Sequence, residues 1–148
     1  MNGRVLALDP GERRIGLALS DPAGIIASPY AVLDRRTSDV AERLQQICRD
    51  EHVDRIVVGL PVTLDGREGA AASAARALAG LAAEATGLDV TLHDERFTTL
   101  TAEQALLEGG MRRSERRDVR DKVAAAVLLQ SYLDRENQRR ERTTGDNS

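Results

Sequence analysis

"RVLALDPGERRIGLALSD", residues 4–21, decides the fold. The run is apolar from Val5 to Leu8 and stops at Asp9. It turns on Pro10-Gly11 and is apolar again from Ile15 to Leu19, ahead of Ser20-Asp21. Two short apolar runs joined by such a turn predict a pair of adjacent strands. If the first is central in a sheet, Asp9 stands at its carboxyl end, where clefts of α/β sheets form. Asp before Pro-Gly is also common turn chemistry. Asp9 alone leaves both readings open.

Asp21-Pro22-Ala23-Gly24 is a turn signal that leads into a third strand over Ile25 to Leu33. Asp39 to Arg49 carries Val40, Leu44 and Ile47 at helical spacing. "RIVV", residues 55–58, reads as a short strand covered on both faces, and Gly59-Leu60-Pro61 ends it. An alanine-dominated helix is expected over 70–86, and a fifth strand over Asp89 to His93. Thr99 or Thr101 can cap a helix that runs to Glu108 and stops at Gly109-Gly110. "MRRSERRD", residues 111–118, reads as polar and mobile, and a last helix covers Val119 to Arg135. A meander of three strands followed by alternating helix and strand is a mixed α/β sheet. The expected division is one domain over 1–136, with a flexible polar tail over 137–148.

The totals narrow the function. At 148 residues the chain can bury a real core as one domain. Phe97, Tyr30 and Tyr132 are its aromatics, so platforms for stacking bases are scarce. Cys48 stands alone, which excludes an internal disulfide and a cysteine-rich zinc site. His52 and His93 are too few and too far apart for a zinc centre. Apolar runs are far shorter than the roughly 20 residues needed to cross a bilayer, and the N-terminus has no signal-peptide pattern. These features predict a cytoplasmic protein with no membrane partner. A net charge of −3 does not advertise nucleic acid, so any such partner must be held by local positive charge.

Three acids stand out. Asp9 and Glu95 each follow a strand, and Glu95 alone reads as an exposed acid paired with Arg96 or Arg13. Asp121, Ala124, Ala125, Leu128 and Tyr132 form one continuous helical face, with Asp121 its charged end. An acid near a helix start favours the dipole, and Asp118 can cap the same end. That does not account for an acid on the inward face. Three converging carboxylates raise one another's pKa unless a cation joins them. Oxygen-only ligands suit Mg²⁺ or Mn²⁺, which can activate water in phosphodiester cleavage.

"LALDPGERRIGLALSD", "VVGLPVTLDGREG", "DERFTT" and "RDKVAAAVLLQSYL" resemble, in that order, the four signature blocks of the YqgF/RuvX family. The resemblance spans residues 4–134. It implies a ribonuclease H-like fold with a five-stranded mixed sheet in the order 3-2-1-4-5. It also implies the activity of a Holliday junction resolvase or a pre-16S rRNA nuclease. By the same resemblance Asp9, Glu95 and Asp121 are the catalytic acids. Gly59 falls in the block after the fourth strand, where a small residue leaves room for a backbone to approach.

Residues 112–122 hold Arg112, Arg113, Arg116, Arg117, Arg120 and Lys122 against Glu115, Asp118 and Asp121. Charge runs are usually solvated. This one delivers Asp121 to the expected metal site, so a phosphodiester reaching that site passes beside it. Phosphate contacts of this kind position a substrate without reading its sequence. Arg13, Arg14, Arg96 and Thr98 flank the acids and are further candidates, whereas Arg139, Arg140 and Arg142 decorate the tail.

The expectation is a metal-dependent endonuclease acting on an RNA precursor or on branched DNA. Ribosome biogenesis through 5′-end processing of pre-16S rRNA is favoured on the resemblance. Symmetric cleavage of a four-way junction would need a homodimer, whereas RNA trimming needs only a monomer. Two rivals are a non-catalytic nucleic-acid-binding module on the same fold and a fragment of an actin-like phosphotransferase.

Overall fold

The computed structural model describes residues 3–62, 68–95 and 113–146, with backbone alone for 113–118 and 143–146. The strands are β1 (Arg4–Pro10), β2 (Arg14–Ser20), β3 (Ala27–Asp34), β4 (Val53–Leu60) and β5 (Asp89–Asp94). The helices are α1 (Val40–Asp50), α2 (Ala70–Thr86) and α3 (Arg113–Asp146). The strands form one mixed sheet in the order β3-β2-β1-β4-β5, as the resemblance implied. β1–β2 and β2–β3 are antiparallel, whereas β1–β4 and β4–β5 are parallel. The carboxyl ends of β1, β4 and β5 therefore lie along one edge of the sheet.

Alternation along the strands makes two cores. Leu6, Leu8, Ile15, Leu17, Ile56 and Val58 bury one face against α1 and α2, through Leu44, Ile47, Ala75, Leu78 and Ala82. Val5, Ala7, Ala18 and Val57 bury the other against Ala125, Leu128, Leu129, Tyr132 and Leu133 of α3. Bulk differs sharply between the two faces. The side beneath α3 is built from Ala, Val and Gly, so this helix sits closer to the sheet than leucines would allow. α3 lies across β2 and β3 and reaches β1.

Local chemistry sets the ends of the elements. The N–H of Gly11 donates to the carbonyl of Arg14 at 2.8 Å, closing the β1–β2 turn. Asp39 caps α1 by accepting from the N–H of Glu42. Gly87 ends α2 in the left-handed region at φ 72°, donating its N–H to the carbonyl of Ala83. The third strand begins two residues later than its composition suggests. The carboxylate of Asp21 accepts from the N–H groups of both Ile25 and Ile26, which holds that pair in the turn.

The largest departure is α3. The sequence reading begins this helix near Val119, ends it at Arg135, and makes the stretch before it mobile. Residues 113–118 are instead helical, and the helix continues through 137–146 where a polar tail was expected. Glu, Arg and Gln are good helix formers, so polarity alone does not end a helix. The extension is also anchored, because Asn137 donates to the carbonyl of Gly24 at 3.2 Å, and within the helix Arg139 pairs with Glu136 at 3.0 Å. The helix expected between Thr99 and Glu108 lies outside the described residues. Among the described residues, no helix is long and apolar enough to cross a membrane.

Candidate active site

Asp9 is the penultimate residue of β1, and Glu95 immediately follows β5 on the same sheet edge. Asp121 comes over that edge from α3. Because α3 begins at Arg113, Asp121 lies more than two turns inside the helix. Neither Asp121 nor Asp118 stands at a helix start, so dipole and capping explanations do not account for them. Asp121 instead continues the stripe that buries Ala125, Leu128 and Tyr132.

Glycines on both neighbouring strands make room for the acids. Asp9 pairs with Gly16 across the β1–β2 ladder. A Cβ on Gly16 would collide with the backbone carbonyl oxygen of Asp121. On the other side, β1 and β4 pair at Leu8 and Val58, and one residue further on each strand stand Asp9 and Gly59. A Cβ on Gly59 would come within 2.8 Å of Glu95 Oε1 and 3.0 Å of Leu128 Cδ2. Gly59 thus makes room for side chains. The close backbone approach expected at Gly59 occurs instead at Gly16. A glycine in the middle of a strand was the available signal.

The electrostatics follow from this crowding. The Asp9 carboxyl is pushed up to about 8, first by burial and then by its hydrogen bond with Glu95. The negative charges of Glu95 and Asp121 push in the same direction. Two carboxyls at hydrogen-bonding distance must share a proton or a cation. Asp121 is turned toward Arg14, with its Oδ2 at 4.0 Å from Arg14 Nη1. Among the described residues, no three His, Cys, Asp or Glu side chains stand as a ready-made set of metal ligands. The structure therefore brings Asp9 and Glu95 into direct contact, with Asp121 near enough to act on Asp9 by its charge.

A cleft of about 280 Å³ opens beside Asp121, lined by Gly11, Glu12, Arg13, Arg14 and Arg120. Arg13 is half exposed and faces Asp34, with its Nε at 3.4 Å from the carboxylate. Arg14 is the more buried of the two and faces Asp121. Arg113, Arg116 and Arg117 fall on the first turns of α3, where only the backbone is described. Arg96, Thr98 and Arg112 lie outside the described residues.

Beneath Glu95, His93 is buried at the end of β5. Its Nε2 is 3.0 Å from Ser131 Oγ, and its ring meets Tyr132 edge-on at 5.8 Å between centroids. Tyr132 in turn accepts from Arg55 at 2.8 Å. Burial holds the His93 pKa below the ordinary imidazole value.

Comparison with known proteins identifies the family and agrees with the fold. The model of the RuvX family, described as "Holliday junction resolvase", matches residues 3–135. A protein of Pelotomaculum thermopropionicum named "Putative pre-16S rRNA nuclease" is 44% identical, covering 97% of this chain and 95% of its own length. One of the same name from Symbiobacterium thermophilum is 46% identical, over 88% of this chain and 92% of its own. Among solved structures, Thermus thermophilus RuvC in complex with a Holliday junction substrate superposes with a TM-score of 0.56 at 18% identity. That match covers 90% of this chain and 96% of the other, a likeness of fold.

Proposed function

This chain belongs to the RuvX Holliday junction resolvase family, and from that premise we propose that it is a metal-dependent endonuclease cutting phosphodiester bonds in structured nucleic acid. The observation that carries the reading is the contact between Asp9 and Glu95. Burial, the hydrogen bond to Glu95 and the nearby negative charges make Asp9 hold a proton well above the carboxylate range. A divalent cation relieves the same repulsion. A donor set of carboxylate oxygens fits Mg²⁺ or Mn²⁺ and not the softer metals.

In this reading Asp9 and Glu95 hold the cation, and Asp121 completes the site by turning from Arg14. Such a cation supplies charge stabilisation to the scissile phosphate and lowers the pKa of water. The chain does the rest. Gly16 and Gly59 let the acids approach each other, and Arg14 faces Asp121 beside them. Arg13 and Arg120, lining the cleft next to Asp121, take phosphates flanking the cut and fix the strand in place. By their charge and place in the sequence, Arg113, Arg116 and Arg117 are candidates for further phosphates.

The substrate we favour is the precursor of 16S rRNA, supported by relatives of that name at 44% and 46% identity. The test is cleavage of a pre-16S rRNA 5′ fragment and of a four-way DNA junction, side by side, in Mg²⁺, Mn²⁺ and EDTA. Metal-dependent cutting of the RNA by the wild type and none by Asp9→Asn is expected. Cutting confined to the junction would transfer the reading to the DNA substrate. Cutting in EDTA would end it.

A further inference from the structure

We propose that His93, acting with Ser131, is a positioning residue that sets where Glu95 stands relative to Asp9 and Asp121. The inference rests on the carboxylate–metal reading given above. β5 is an edge strand that pairs with β4 alone. Two of its apolar residues, Val90 and Leu92, pack toward α1 and α2 on the far face of the sheet. On the α3 face Thr91 is exposed, and His93 is the buried residue of this strand. Contacts that tie β5 to α3 include the approach of His93 Nε2 to Ser131 Oγ at 3.0 Å and its edge against Tyr132.

Glu95 sits two residues beyond this tie and on the same face. His93 is the register partner of Gly59, and Glu95 reaches back over that same glycine toward Asp9. With Gly59 giving the carboxylate space on the β4 side, the separation of β5 from α3 decides how far over it reaches. A polar contact across 3.0 Å fixes that separation more sharply than apolar packing, because a hydrogen bond weakens steeply with distance and angle. Outer residues that orient the ligands of a metal commonly govern its affinity in this way.

The experiment measures Mn²⁺ affinity by calorimetry and melting temperature in EDTA for four variants. His93→Phe keeps an edge for Tyr132 but loses the polar contact, and Ser131→Ala removes its other half. His93→Gln returns an amide near the position of Nε2, and Asp9→Asn is the control. The expected result is a loss of Mn²⁺ affinity of about tenfold in His93→Phe and Ser131→Ala, with the wild-type melting temperature retained. His93→Gln should recover most of that affinity. Unchanged affinity in His93→Phe and Ser131→Ala would overturn the proposal, as would a loss that tracks melting temperature across the series. If Asp9→Asn keeps full affinity, the carboxylate–metal reading itself fails. Loss in Asp9→Asn alone removes only the role of His93.

Discussion

The carbonyl oxygen of Asp121 occupies the space that a side chain on Gly16 would need. Gly16 is also the cross-strand partner of Asp9. One glycine therefore seats α3 on the sheet and brings an acid of the helix over an acid of the strand. The backbone contact is short because the sheet beneath α3 carries Ala7, Ala18 and Val57 in place of larger residues.

Substituting the two site glycines should have unequal effects. Gly16→Ala drives a methyl group into helix backbone, which cannot rotate away, so it should cost about 1–3 kcal/mol and most of the activity. Gly59→Ala meets the ends of Glu95 and Leu128, which can move. It should unfold at nearly the wild-type denaturant concentration and still cleave poorly. Urea unfolding and cleavage rates on the same preparations check both.

Stability should depend on pH through Asp9. In the fold its carboxyl titrates near 8, above its unfolded value of 3.8. Below 3.8 both states hold the proton, and the contribution is fully present. As pH rises toward 8 the unfolded chain has released the proton and the fold has not, so stability falls across that window. In EDTA, the melting temperature of the wild type should drop more between pH 5 and pH 8 than that of Asp9→Asn. Parallel curves would remove Asp9 as the cause. The dependence on the bridging proton explains why Mn²⁺ should raise the melting temperature more at pH 8 than at pH 5.

Arg13 and Arg120 line the cleft beside Asp121, so alanine there should weaken binding of the nucleic acid with little effect on Mn²⁺ affinity. Each lost phosphate contact should lower the slope of log affinity against log salt by about 1. Filter binding in EDTA across a salt series reads both quantities. An unchanged slope would place the strand elsewhere.

Much of this was legible in residue order. Short apolar runs separated by turn residues gave the strands, because each run is half of a two-sided core. Asp9, Glu95 and Asp121 were visible as acids at strand ends and on an apolar helical stripe. What was not legible depends on distance across the fold. Gly16 looks like any glycine until a helix from more than a hundred residues later rests on it. His93 looked like an isolated imidazole, since its contact with Ser131 joins positions 38 apart. The length of α3 was missed because charge density resembles a solvated loop, whereas Arg, Glu and Gln carry a helix equally well. The direct contact of Asp9 with Glu95, and the turn of Asp121 toward Arg14, are side-chain geometry that no spacing encodes.

The most direct test of the central claim is proton-linked metal binding. Calorimetry of Mn²⁺ binding at pH 7, repeated in buffers of different ionisation enthalpy, counts the protons released. The cation should displace the proton held between Asp9 and Glu95, with about one proton released per ion bound, and Asp9→Asn should abolish both binding and release. Binding of Mn²⁺ to Asp9→Asn with wild-type affinity, or binding with no proton released, would contradict it.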